Sequence, residues 1–194
     1  MNISVDVRLQ ADAVIRRYDT IAMNTVWTIG HSTRSIDDLI QVLRSYDIEL
    51  VADVRRYPGS RRLPQFSAES LEKSLADAGI DYRWIPALGG RRRSESNSQD
   101  SAWKHPAFRA YAEHIMTDEF SDGLTELLML SEGLNTAIMC AEVLWWRCHR
   151  RIISDVLVSL GMNVVHIRDE SHSDNHKLAP PARLIGGSLV YTIV

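Results

Sequence analysis

The chain has 194 residues, a net charge of -3, 45% hydrophobic and 24% charged residues, and two cysteines. That length suits one domain with a core able to stand without staples, and two cysteines exclude a disulfide scaffold. The slightly acidic balance excludes bulk attraction to nucleic acid or membrane, and no window approaches the roughly 18 apolar residues of a membrane span.

Met1 to Asn24 lacks a clean strand or turn signal. "RLQADAVIRRYD" reads as a short helix, and Met23 offers an alternative start. Residues 1–24 are therefore expected to form an extension, poorly ordered or packed on the outside. Met1–Arg17 has no long apolar run and so no visible signal peptide, which fits a soluble cytoplasmic protein with reduced thiols.

From Thr25 the pattern is regular. "TVWTIG" is a β-rich run. "SIDDLIQVLRSYD" places Ile36, Leu39, Ile40 and Leu43 at helical spacing behind Ser35, a good N-cap. "IELVADV" is a second strand. "SAESLEKSLADAG" is a helix that opens on Ser67 and closes on Gly79. "IDYRWI" is a third strand. "HPAFRAYAEHIMTDEFSDGLTELLMLSEG" supplies one or two helices, with a break near Thr117–Asp118. "NTAIMC" is a fourth strand and "CHRRIISDVLVSLG" a helix that ends before Gly161. "MNVVHI" is a fifth strand, and "GSLVYTIV" a short sixth at the chain end.

Strands alternate with helices of 10 to 15 residues, the pattern of βαβ crossovers. The expected fold is α/β. Its sheet is open and mostly parallel, with about five to six strands, helices on both faces and Rossmann-like layering. Residues 25–194 form its single domain.

Open α/β sheets bind ligands outside the carboxyl ends of their strands. The residues just after each predicted strand are His31, Ser32 and Arg34; Asp53, Arg55, Arg56, Tyr57, Ser60 and Arg61; Gly89, Gly90 and Arg91; Cys140 to Arg150; and His166, Arg168 and Asp169. Polar loops are ordinary, but five such loops at one sheet edge point to a shared site.

Cys140 ends an apolar strand, where a thiol is either a small buried hydrophobe or a group facing the site beside Glu142. Cys148 stands where a helix begins, beside Arg147, His149 and Arg150. The positive end of the helix dipole and these cations favour a thiolate there. A zinc site needs about four ligands. Cys140, Cys148 and His149 supply at most three locally, and a dispersed site would have to recruit His31 or His166. No metal and no cofactor is expected. A phosphatase loop is excluded as well, because six residues separate Cys140 from Arg147 and they include Val143, Leu144, Trp145 and Trp146 where glycines would be needed.

These residues carry a resemblance. "TIGHSTRSIDDLIQVLRSYDIELVADVRRYPGSRRLPQF", "GIDYRWIPALGGRR" and "MCAEVLWWRCHRRIISDVLVSLGMNVVHI" resemble the family of domain of unknown function 488, over roughly Thr25 to Val194. The resemblance implies an α/β fold. It makes His31, Ser32, Asp53, Arg55, Pro58, Ser60, Gly89, Gly90, Cys140, Glu142, Cys148, His149 and Arg150 family hallmarks. It supplies no reaction.

The reading that results is an enzyme acting on an anionic, nucleotide- or nucleic-acid-derived substrate at the strand ends. Its candidate catalytic groups are Glu142, Cys148, Cys140 and His31. Ser32, Asp53, Arg55, Ser60, Arg61, Gly89, Gly90, Trp146, His149 and Arg150 are candidates for substrate binding. Arg55, Arg61 and Arg150 would hold the anion, and Trp145 or Trp146 would stack on a planar group. The alternatives are a non-catalytic nucleic-acid or nucleotide binder and a structural or regulatory module. A membrane partner is not expected, and the oligomeric state is open.

Overall fold

The computed structural model describes residues 3–4, 24–59, 61–93 and 102–192. A two-residue strand, β1 (Ile3–Ser4), lies in the N-terminal extension. The short helix expected near its middle falls outside the described residues. The regular part then follows as β2 (Thr25–Gly30), α1 (Ile36–Ser45), β3 (Leu50–Asp53), α2 (Ala68–Asp77) and β4 (Asp81–Trp84). Next come α3 (Pro106–His114), α4 (Asp118–Ser131), β5 (Thr136–Cys140), α5 (Arg150–Ser159) and β6 (Asn163–Ile167). The chain closes with β7 (Ser173–Asn175), β8 (Ala182–Ile185) and β9 (Ser188–Tyr191).

Local chemistry sets the helix starts. Ser35 closes a capping box with Asp38, satisfying two orphan N–H groups at the head of α1. Ser67 caps α2, accepting from the Ser70 N–H. Thr117 accepts from the Phe120 N–H and so starts α4 afresh, which makes two helices of the segment after His105.

The main sheet has the order β4-β3-β5-β2-β6-β7. Its first five strands are parallel, and β7 joins antiparallel to β6. The sheet is thus α/β and mostly parallel, with six strands. The sixth is not the chain end, however. "GSLVYTIV" pairs as β9 in a separate three-stranded antiparallel sheet of order β1-β9-β8. The polar segment Ser173–Asn175 takes the edge of the main sheet instead. Its sequence shows no apolar alternation because neither of its faces is buried.

Side chains alternate across the parallel strands and fill two cores. Leu50, Ala52 and Ile138 pack with Tyr111, Leu124, Leu127, Ile152, Ile153 and Leu157, under α3, α4 and α5. Val51, Ala137 and Met139 pack with Leu39, Leu43, Phe66, Leu71 and Leu75, under α1 and α2. Both faces of the sheet are covered, as parallel sheets require. Among the described residues no helix is long and apolar enough to cross a membrane.

Candidate functional site

Strand order decides which loops meet. β4, β3 and β5 are neighbours, so the segments that follow them leave the sheet side by side. A cavity of about 770 Å³ opens there. Arg55, Arg56 and Tyr57 follow β3, Gly90 and Arg91 follow β4, and Cys140, Glu142, Arg147, Cys148 and His149 follow or end β5. His105 and Phe108 close the cavity from the head of α3. The loops after β2 and β6 contribute none of its lining residues. A second cavity of about 790 Å³ shares Arg56, Tyr57 and Arg91 with the first, and adds Arg92, Arg93 and His114.

The wall at the end of β3 is held by a buried ion pair. The Asp53 carboxylate is fully buried. It accepts from the Arg55 N–H at 3.0 Å, from Arg55 Nε at 2.8 Å and from the Tyr82 hydroxyl at 2.7 Å. Arg55 also donates to the Phe66 carbonyl at 2.8 Å and meets His31 Nε2 at 3.2 Å. His31 Nδ1 donates to the Ser32 carbonyl at 2.9 Å, so Nε2 is the acceptor toward Arg55. Its ring stacks on Phe66 at 4.0 Å. Burial, then the Arg55 charge, lower the His31 pKa to about 4. His31, Asp53 and Arg55 thus bind one another, and the bonds fix where Arg56 and Tyr57 leave the sheet.

The cavity floor holds the two thiols. Cys140 closes β5, and Cys148 lies in extended backbone between a 3₁₀ turn (Trp145–Arg147) and α5. Helix α5 starts at Arg150, two residues later than the sequence pattern predicts. Both thiols are buried. The Sγ atoms of Cys140 and Cys148 and one ring nitrogen of His149 lie within 4.8 Å of one another. Cys148 Sγ is 3.5 Å from His149 Nδ1, and His149 Nε2 donates to the Val54 carbonyl at 3.0 Å. A carbonyl only accepts, so Nε2 carries a proton and Nδ1 faces the sulfur. A hydrogen bond from the Cys140 thiol pulls the Cys148 thiol well below its usual range, against the opposing effect of burial, with His149 and Arg150 adding to the pull. The same bond, with burial, pushes the Cys140 thiol well up.

Two glycines admit this packing. A Cβ at Gly90 would lie 2.7 Å from His149 Nδ1, and one at Gly30 would lie 2.0 Å from the Glu142 carbonyl oxygen. The chain after Cys140 crosses directly over the end of β2, tied by the His31 and Ser32 N–H groups, which donate to the Cys140 and Ala141 carbonyls at 2.9 and 3.0 Å.

Behind the floor runs a buried polar chain. Arg150, 1% exposed, donates to the Glu142 carbonyl and to the Val143 carbonyl at 3.2 Å, and reaches Thr28 Oγ1 at 3.5 Å. Thr28 meets His166 Nδ1 at 2.7 Å, His166 Nε2 meets His176 Nδ1 at 2.9 Å, and His176 Nε2 meets Asp155 at 2.9 Å. The Tyr191 hydroxyl donates to the other Asp155 oxygen at 3.2 Å. With Asp155 ionised, every proton has one place: His176 Nε2–H and His166 Nε2–H donate toward Asp155, and the Thr28 hydroxyl donates to His166. Burial, then the His176 charge, lower the His166 pKa to about 3. Trp145 stacks on His166 at 4.0 Å and 9°.

The other sequence candidates are dispersed. Glu142 is exposed on the cavity rim and accepts from the Leu144 N–H at 3.3 Å. Ser32 and Arg61 lie outside the cavity lining, and Gly89 packs its Cα under Arg56. Trp146 is 43% exposed and does not line the cavity. Ser60 falls outside the described residues. Sequence placed Arg56, Tyr57 and Arg147 at the strand ends without giving them a role, and did not single out His105 or Phe108. Arg56 and Arg147 carried a signal, as members of arginine clusters beside candidates. His105 and Phe108 carried none, because only the packing of α3 brings them to the strand ends.

The family model described as "Domain of unknown function DUF488" matches residues 35–157. No curated protein and no solved structure matches the chain.

Proposed function

The chain belongs to the DUF488 family, and on that premise we propose that it is an enzyme acting on an anionic, nucleotide- or nucleic-acid-derived substrate in the cavity at the ends of β3, β4 and β5. One observation carries the reading: the Cys148–His149 pair shares a single cavity with the Arg56, Arg91 and Arg147 side chains. Arginines recognise phosphate and carboxylate by paired charged hydrogen bonds. The rings of Tyr57, His105 and Phe108 line the same cavity, and aromatic rings stack on bases. A volume of about 770 Å³ suits a nucleotide-sized ligand. Arg55 and Arg150 support the cavity walls through Asp53 and the Glu142–Val143 carbonyls, which leaves the anion to Arg56, Arg91 and Arg147. In this reading Glu142, which lines the cavity, moves the proton. A thiolate at Cys148 serves such chemistry either by attacking the substrate or by holding a metal ion that polarises it. The two uses make different demands on Cys140.

The test is turnover of a panel of nucleoside phosphates and short single-stranded oligonucleotides. Cys148→Ser and Glu142→Gln are each expected to lower the rate at least ~100-fold, with an unchanged circular dichroism spectrum. Full activity in both variants would refute these roles. Binding that weakens with salt, without turnover by the wild type, would refute the enzyme reading in favour of a binder.

A further inference from the structure

We infer that Cys140, Cys148 and His149 form a binding site for a thiophilic divalent cation of the zinc class, open to the cavity at its fourth position. The inference deepens the proposed function, since it rests on that reading's placing the chemistry at the cavity floor. Spacing along the chain argues against a zinc knuckle, but the fold supplies what spacing does not. The three donor atoms come within 4.8 Å of one another. A tetrahedral zinc ion with Zn–S of about 2.3 Å and Zn–N of about 2.0 Å sets its sulfurs roughly 3.8 Å apart and sulfur to nitrogen roughly 3.5 Å. Cys148 Sγ and His149 Nδ1 are 3.5 Å apart.

Three further features fit a ligand set better than a lone nucleophile. First, His149 Nε2 donates to the Val54 carbonyl at 3.0 Å, which fixes the ring with Nδ1 toward the sulfurs. Metal-bound histidines are oriented by such a bond from their other nitrogen. Second, Cys140 brings a second sulfur to the same point on the floor, at the rigid end of a central strand. Third, charge balances: two thiolates neutralise a divalent cation in a place where Cys140 and Cys148 are 9% and 5% exposed. All three residues line the cavity, so the remaining coordination position faces it. Three protein ligands with one open position is the arrangement of catalytic rather than structural zinc. A cation there, with Arg56, Arg91 and Arg147 around it, would draw the anionic group of a substrate onto the metal. Binding replaces protons only: each thiol that ligates releases its proton to solvent, and nothing is oxidised.

The experiment is metal binding by the full chain, with no substrate present. The protein is stripped with a chelator and titrated with Co²⁺, then with Zn²⁺ in competition. One equivalent of Co²⁺ is expected to bind, with a thiolate-to-cobalt charge-transfer band and the d–d bands of a tetrahedral site. Zn²⁺ should displace it. Cys140→Ser, Cys148→Ser and His149→Gln should each weaken Zn²⁺ binding at least 10-fold to 100-fold, while the circular dichroism of the stripped variants matches the wild type. Where one variant does not fold, the other two decide. No stoichiometric binding overturns the site. So does binding that survives all the foldable substitutions, and so does protein in which the two cysteines are found joined as a disulfide. The function fails separately: a chain that binds one Zn²⁺ but turns over nothing keeps the site and loses the enzyme. A stripped chain that turns over substrate at the full rate keeps the enzyme and loses the metal's part in it.

Discussion

Gly90→Ala tests whether the backbone after β4 sets the position of His149. An ideal Cβ at residue 90 lies 2.7 Å from His149 Nδ1, 3.1 Å from Cγ and 3.2 Å from Cε1. Favourable contact begins at about 3.5 Å, so the ring must retreat roughly 0.8 Å. It has little freedom to do so. Nε2 is bonded to the Val54 carbonyl at 3.0 Å, and the Tyr111 ring packs on it at 5.1 Å between centroids. Gly90 does not have a positive φ, so the perturbation is steric and leaves the backbone conformation alone. Overpacking of this kind costs about 1–3 kcal/mol. Urea denaturation of the metal-free protein should show that loss, and Zn²⁺ affinity should fall at least ~10-fold as Nδ1 leaves the sulfurs. Gly59→Ala is the control, since a Cβ there meets nothing within 4 Å. Surface changes of that sort stay within about 0.5 kcal/mol. Equal stability and equal Zn²⁺ affinity in the two variants would refute the packing argument.

Acid should destabilise the fold well above the pH at which carboxylates protonate. His31 and His166 titrate at about 4 and about 3 in the folded chain against 6.5 when exposed, so below pH 6.5 the unfolded chain binds protons that the folded one refuses. Their stabilisation is complete above pH 6.5 and is lost as pH falls. The ceiling for the two together is about 3 kcal/mol per pH unit. A urea midpoint that stays flat from pH 7 to pH 4.5 would contradict this. Asp155→Ala removes the acceptor of both His176 Nε2–H and the Tyr191 hydroxyl inside the core. At about 1–3 kcal/mol for each unsatisfied donor, a loss near 3 kcal/mol is expected by chemical denaturation. Asp155→Asn, which keeps an acceptor oxygen, should lose less. A loss under 1 kcal/mol for the alanine variant would mean that the chain does not end at Asp155.

The sequence by itself determined the layers. Strands such as "IELVADV" and "NTAIMC" are nearly all apolar because both their faces are covered, and the helices between them carry their own caps, Ser35, Ser67 and Thr117. These signals are local, so they can be read without knowing what packs where. Two pairings were not read from the sequence. Ser173–Asn175 is a largely exposed edge strand with no apolar pattern to show, and β9 turns back on β8 at Gly186–Gly187 and takes β1 from the far end of the chain, which sets it in a sheet of its own.

The candidate site divides along the same line. "CAE" and "CHR" marked the floor, since thiols beside histidine and arginine are unusual in any loop. Sequence distance nevertheless made Cys140, Cys148 and His149 look too few and too widely spaced for a metal. Only the fold closes that distance: the 3₁₀ turn returns Cys148 beneath the end of β5, and Gly90 leaves room for the His149 ring. The arginines show the reverse. The sequence reading chose Arg55, Arg61 and Arg150 to hold the anion. The tertiary structure binds Arg55 to Asp53 and Arg150 to backbone carbonyls, and turns Arg56, Arg91 and Arg147 toward the cavity. Residue type fixes which chemistry a side chain can do. Which of several like side chains is free to do it depends on the partners that the fold turns toward it.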